Sequence, residues 1–428
     1  MRETPEQQSQ GRVVGFAEAL ATVLQHATSL RGAAGDSAHT ERVELMEALG
    51  RVLATPILAD RDQPPFDRAT RDGFAVRAEE ISQDAWLRVV GQVRAGERWT
   101  GATMDAGEAI EIMTGAPVPE GADAVVMVEH VELAEGQVRL LAGRTLRAGE
   151  NIVVRGKEAR AGAVVVPEGT QIGAAEIALA ASCGQAELAV RRRPRVSITA
   201  TGDELVGIGE TPESHQIRNS NSYGMAALVT AAGGEAGRLE VARDLREEVW
   251  ERVAQGRMWD LMLLSGGVSM GKYDLVEEVL AEFGAEFFFT GVKMQPGKPV
   301  VFGRLPRRES GSGAGPECYF FGLPGNPVST QVTFHCFVEP LLRALGGGEV
   351  AGPHFVQATL VGAATGRPGL TRVLPARLTS DLERPTVRMV EWQGSGDLAA
   401  NARANCYAVL PEGQERFAEG DAITVLQR

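Results

Sequence analysis

The spacing of apolar positions changes several times along the chain, and each change predicts a different kind of element. Near the start, "GFAEALATVLQHATSL" repeats apolar residues at helical spacing and puts Phe16, Leu20, Val23 and Leu24 on one face. The pattern of "VELMEALGRVLA" (43–54) predicts a second helix. From about Ile57 to Glu158 the texture turns to short apolar stretches broken by Gly, Pro and Asp, as in "LRVVGQV", "AIEIM", "AVVMVEHVEL" and "QVRLLAG", which reads as a β-rich insertion. Helical spacing returns over 173–182, "GAAEIALAAS".

A third rhythm begins near Pro194. Compact strands, "RVSITATG", "DLMLLSGG", "PVVFG" and "CYFFG", alternate with helix-patterned segments such as "SNSYGMAALVTAAG" and "YDLVEEVLAEFG". Such alternation predicts a mostly parallel sheet covered by helices on both faces. "PRRESGSGAGPE" (306–317) reads as a flexible surface loop between two strands. Beyond Pro353 only strand patterns remain: "FVQATLVGA", "RVLPARL", "TVRMVEW" and "AITVLQR". The expected architecture is multi-domain, α/β and β. A polar tail covers 1–12, and a discontinuous helical linker domain 13–57 plus 159–193. A β-rich inserted domain covers 58–158, a doubly wound, mostly parallel α/β domain 194–350, and a small C-terminal β-barrel domain 351–428.

Composition narrows the class without naming a function. The 428 residues are 44% apolar and 23% charged, the profile of an ordinary globular protein. A net charge of −13 argues against nucleic acid or an anionic membrane surface as partner, so any anionic ligand needs local basic groups or a metal ion. The four cysteines, Cys183, Cys318, Cys336 and Cys406, show no paired spacing and read as buried thiols of a cytoplasmic protein. There is no apolar run of membrane-spanning length, and the polar tail has no hydrophobic signal region.

Candidate chemistry gathers at the predicted carboxyl ends of the α/β strands, where open sheets of this type bind ligands. "ITATGDEL" ends a strand on Thr201, Gly202, Asp203 and Glu204, and "LLSGGVSMGKYD" ends another on Ser265, Gly266 and Gly267, with Asp274 following. "FGLPGNPVST" ends a third with Pro324, Gly325, Asn326 and Pro327. A plain connection needs only a few polar residues; this turn is stiffened by proline and stripped of side chains by glycine. Three glycine-bearing ends on one rim would expose backbone N–H groups to a phosphate-bearing ligand. Asp203, Glu204 and Asp274 suit either helix capping or Mg²⁺ ligation, and Asp244 in "VARDLREE" by itself suits an N-cap. Lys298, fixed between Gly297 and Pro299, and Arg218 are candidate anion contacts; Asn219, Ser220 and Asn221 could cap a helix or bind ligand.

Taken in order, "FDRATRDGFAV", "IMTGAPVPEGADAVVM", "TGDEL", "SGGVSMGKYD", "PGKPVVFG" and "GLPGNPVS" resemble the MoeA family of molybdopterin molybdotransferases, which includes the E domains of gephyrin-like proteins. The resemblance covers nearly everything after residue 12, including "GSGDLAANARANCYAVL" near the C-terminus. It implies a Mg²⁺-dependent enzyme that inserts molybdenum, supplied as molybdate, into adenylated molybdopterin and releases AMP. It further implies an elongated homodimer whose cleft lies between the α/β domain of one subunit and the insertion of the other, with substrate handed over from a molybdopterin adenylyltransferase. By motif, the family's acidic residues correspond to Asp72, Glu204, Asp244 and Asp274, its "TGAPVP" threonine to Thr114, its turn prolines to Pro324 and Pro327, and its "PGKP" lysine to Lys298. The metal ligands expected on this basis are Asp244, Asp274 and Glu204, with Asp72 reaching in from the insertion. Departures are visible: Ala69 and Arg71 stand where many members have serine and methionine, and Gln295 where some have lysine. The alternatives left open are a molybdopterin adenylyltransferase, whose α/β domain would look alike, and a non-catalytic carrier of the finished cofactor.

Overall fold

In the computed structural model, described over residues 12–33, 40–267, 275–306, 317–380 and 382–428, the chain builds three sheet-centred bodies and a linker. The helix Phe16–Ala33 buries Ala19, Val23 and Ala27, and Phe16 reaches Phe337 at 5.7 Å between ring centroids. This apolar face joins the core of the α/β domain rather than that of the linker. The second helix expected over 43–54 is instead the strand Thr40–Glu44 followed by one 3₁₀ turn, Leu45–Ala48. Thr40–Glu44 pairs antiparallel with Glu187–Arg191, and Gly50 at φ 76° turns the chain where a helix would have continued. Backbone pairing with a distant strand overrides a locally helical pattern.

The insertion is a six-stranded sheet in the order Ala124–Met127, Gly73–Val76, Glu108–Ile112, Leu87–Val93, Gln137–Leu140, Val131–Ala134. Each of its faces has a small core, one around Ile110, Ile112 and Val125, the other around Phe74, Val126 and Val138. Gly73, directly after Asp72, opens the strand Gly73–Val76. A Cβ there would stand 1.8 Å from the Val126 carbonyl oxygen, so the close approach of the two backbones requires glycine.

The α/β domain has a six-stranded sheet ordered Glu235–Arg238, Arg195–Ala200, Leu261–Ser265, Cys318–Leu323, Val301–Leu305, Glu286–Phe289. The first four strands are mutually parallel and Val301–Leu305 runs against them. One face packs Ile198, Leu263 and Phe321 against the helices Asn221–Ala231 and Pro327–Thr333, and the other packs Met262, Leu264 and Phe320 under Arg246–Gly256 and Leu275–Glu282. After the turn at residues 324–327 the helix is not uniform. It runs Pro327–Thr333, widens into a π turn over Phe334–Val338, and resumes as Glu339–Leu345 with Pro340 in its first turn.

Register fixes where the chemistry goes. Ala200 pairs with Ser265, and Ser265 with Leu323, so three neighbouring parallel strands stop level with one another. The C-terminal domain closes five strands, Thr371–Thr379, Thr386–Met389, Phe355–Leu360, Ala422–Gln427 and Cys406–Leu410, into a barrel, because the last pairs again with the first. The barrel carries one short helix, Leu398–Arg403, capped by Asp397. No helix among the described residues is long and apolar enough to cross a membrane.

Candidate active site

A cleft of about 650 Å³ opens at the level ends of the three strands. Its wall holds Thr201, Gly202 and Glu204 from the first end, Ser265, Gly266 and Gly267 from the second, and Pro324 to Pro327 from the third. Arg218, Asn221 and Asp244 line it too, as do Gly396 and Leu398 from the barrel domain.

Asn221 ties the rim together. Its side-chain amide donates to the Ser265 hydroxyl at 2.9 Å and to the Gly325 carbonyl at 2.7 Å, joining the second and third strand ends from the first turn of a helix. The Thr330 hydroxyl donates to the Pro324 carbonyl at 2.6 Å, and the Val328 N–H to the Ser395 carbonyl at 2.9 Å, so the proline-glycine turn is held from both sides. Gly266, at φ 92°, lets the chain pass the Thr201 carbonyl, which a Cβ would approach to 2.4 Å. Gly325 differs. A Cβ there would meet Gly266 Cα at an ordinary 3.7 Å, so its missing side chain serves the open space of the cleft rather than the fold. The Thr201 hydroxyl is buried with no hydrogen-bond partner among the described residues, at the wall of this cleft.

Acidic groups crowd one side. Asp244 is not a helix cap: the next helix starts at Arg246 with Leu245 at its cap position and no side-chain cap bond. The Asp244 backbone N–H donates to Asp203 Oδ1 at 3.2 Å. Partial desolvation first, then the charges of Asp203 and Glu204, raise the Asp244 carboxyl above its ordinary value. Among the described residues no three His, Cys, Asp or Glu side chains converge in a ready metal cage. Asp274 lies outside the described residues.

Lys298 lines an adjoining pocket of about 570 Å³ that shares Pro299, Pro324 and Asn326 with the cleft. Sequence reading missed its companions Arg372, Trp392 and Ser395, all from the barrel domain. Arg372 Nη1 donates to the Thr365 carbonyl, and its Nε is buried with no partner among the described residues. Their only signal is spatial, since the fold brings them to Lys298 from some seventy residues or more further along the chain. Arg218 lines the cleft, but its Nε donates to the Glu210 carbonyl at 3.0 Å.

Asp72 and Thr114 pair with each other in the insertion and line neither pocket. Thr114 gives Asp72 Oδ1 both its backbone N–H at 2.7 Å and its hydroxyl at 2.8 Å. The backbone bond, then the hydroxyl, lower the Asp72 carboxyl below its ordinary value.

Three family models match in order: "MoeA N-terminal region (domain I and II)" over residues 14–184, "Probable molybdopterin binding domain" over 197–344, and "MoeA C-terminal region (domain IV)" over 357–427. The chain is 35% identical over 413 residues to a molybdopterin molybdenumtransferase of Nostoc, covering 91% of this chain and 88% of that protein. A protein of the same name from Haemophilus influenzae is 33% identical over 395 residues, covering 90% of this chain and 93% of that one. Among solved structures, a molybdopterin biosynthesis MoeA protein from Pyrococcus horikoshii superposes with TM-score 0.71 at 31% identity, covering 97% of this chain and 99% of the other.

Proposed function

Because the chain belongs to the MoeA family, whose work is molybdenum cofactor biosynthesis, we propose that it is a molybdopterin molybdenumtransferase that inserts molybdate into adenylated molybdopterin and releases AMP. The observation that carries this reading is the meeting of three glycine-bearing strand ends on one cleft, two of them laced by Asn221. Backbone N–H groups along these ends suit the diphosphate between pterin and AMP, because they bind anions without adding a charge that must be desolvated. The neighbouring pocket, with Lys298 and Arg372, suits a compact oxyanion such as molybdate. Because the two pockets share Pro299, Pro324 and Asn326, reactants bound in them would lie side by side, which would lower the entropic cost of their reaction.

Acidic side chains beside an anionic substrate conflict unless a cation intervenes. Glu204 and Asp244 are hard oxygen donors on the cleft wall, and the Asp244 carboxyl, raised by desolvation and then by the charges of Asp203 and Glu204, would be stabilised in its ionised form by a cation. Mg²⁺ takes one or two carboxylates and fills its shell with phosphate oxygens and water. Glu204 and Asp244, with Asp274 by its motif, would hold it. Bound there, Mg²⁺ would neutralise charge developing on the leaving phosphate oxygen. Asp72 and Thr114 enter this scheme from a second copy of the chain, in a homodimer whose insertion faces the first copy's cleft. The Thr114 bonds keep Asp72 ionised and oriented, fit to position molybdate or an attacking water.

Purified protein supplied with adenylated molybdopterin, molybdate and Mg²⁺ is expected to release AMP in step with formation of the metallated cofactor. Binding of the pterin without AMP release would instead make the protein a carrier and overturn this reading.

A further inference from the structure

A second cleft, of about 460 Å³, lies away from the candidate active site, where the linker meets the α/β domain. It reverses the charge of its surroundings: in a chain of net charge −13, its wall carries five arginines, Arg51, Arg191, Arg192, Arg193 and Arg343, against two glutamates. Three of the five have carboxylate partners, Arg51 with Glu41, Arg191 with Glu168 and Arg343 with Glu339. Arg51, only 8% exposed, also donates to the Arg191 carbonyl at 2.8 Å, so the floor of the cleft is pinned. Arg192 and Arg193 have no ion-pair or hydrogen-bond partner among the described residues, and they leave the strand Glu187–Arg191 side by side. At Gly50 and Gly233, on the wall, an added Cβ would meet no atom within 4 Å, so both glycines face open space.

Arg192 and Arg193 are the two cations of this wall without a carboxylate among the described residues, and guanidinium forks match phosphate oxygens two at a time. The geometry points to a binding site for a small diphosphate-bearing anion, held by Arg192 and Arg193 over the pinned floor of Arg51 and Arg191. The site is separate from the proposed catalytic cleft and would hold whether or not that reading stands. A ligand seated there touches both the linker and the α/β domain, so its binding raises the resistance of their junction to unfolding.

The test is calorimetric titration of the full-length protein with inorganic pyrophosphate, with ADP in a parallel arm. Three proteins are compared: the parent, Arg192→Gln/Arg193→Gln, and Gly325→Ala, which crowds the strand ends of the catalytic cleft. The proposal expects a pyrophosphate binding event that survives Gly325→Ala and weakens at least tenfold in the double variant, with a matching loss of the ligand-induced rise in Tm. Tighter binding of ADP would identify the source as a nucleotide and tighter pyrophosphate a free diphosphate; each supports the site. Should the double variant fail to fold, Arg192→Gln alone, at an exposed position, must weaken the binding at least threefold. No binding to the parent, or binding unchanged by the arginine substitutions, overturns the proposal.

Discussion

Two aspartates in two domains show opposite solutions to placing a carboxylate. In the insertion, Asp72 receives two hydrogen bonds from a single residue, Thr114, and its acidity rises. On the cleft wall, Asp244 loses water and faces Asp203 and Glu204, and its acidity falls. The first group is exposed to water, and its Oδ1 is already held by two donors. The second is incomplete, and its charge costs free energy until something positive arrives. A carboxylate that a fold holds at such a cost is a candidate for work, whereas a satisfied one is a candidate for orientation.

Substituting both aspartates separates the two roles most sharply. Asp244→Ala is expected to slow AMP release on the order of a hundredfold, as removal of one electrostatic contact to a reacting centre does. It should also raise the Mg²⁺ concentration needed for half-maximal rate. Asp244→Asn should lose activity similarly, yet melt no lower than the parent without Mg²⁺, since it removes the repulsion with Asp203 and Glu204. Asp72→Ala is expected to lower Tm with or without Mg²⁺, because the Thr114 donors lose their acceptor. Equal Mg²⁺ dependence in both variants, measured by initial rates, would erase the distinction.

A second contrast lies within the cleft. Gly266→Ala forces a side chain into φ 92° and against the Thr201 carbonyl, and the conformation alone costs about 1–3 kcal/mol. Gly325→Ala meets only an ordinary contact, so denaturant titration should find its stability unchanged while KM for the adenylated pterin rises severalfold. A destabilised Gly325→Ala with normal KM would mean that the turn is glycine-rich for folding alone.

Much of this was legible beforehand, for identifiable reasons. The parallel sheet announced itself because strands buried on both faces read as short continuous apolar runs, such as "DLMLLS" and "CYFF". The three strand ends were visible because glycine and proline punctuate a chain wherever backbone geometry is unusual. The strand Thr40–Glu44 was not, since its partner Glu187–Arg191 lies far along the chain and its last two residues open the stretch 43–54 that has helical spacing. Asn221 read equally well as a cap or a ligand contact, and only the register of two strands reveals it as the tie between them. Arg372 and Ser395 left no signal at all. Arg372 comes to Lys298 because it pairs in register with Gln295, a match between distant stretches that no local pattern encodes.

The smallest expected effect concerns how Asp72 is held, and it is read from pH. A carboxyl whose folded pKa lies below its unfolded value near 3.9 contributes stability above that value and loses it as pH falls through the lower, folded one. Asp244, shifted the other way, costs stability when ionised and ceases to do so as acid protonates it. The two groups therefore bend the acid limb of the Tm–pH curve in opposite directions. Thr114→Val removes the hydroxyl and keeps the backbone N–H, so part of the Asp72 contribution should survive and the acid limb should move slightly toward neutral pH. Thr114→Ser restores the donor and should restore the limb. If valine and serine give the same curve, the backbone N–H alone sets the acidity of Asp72, and the hydroxyl is free to serve a ligand.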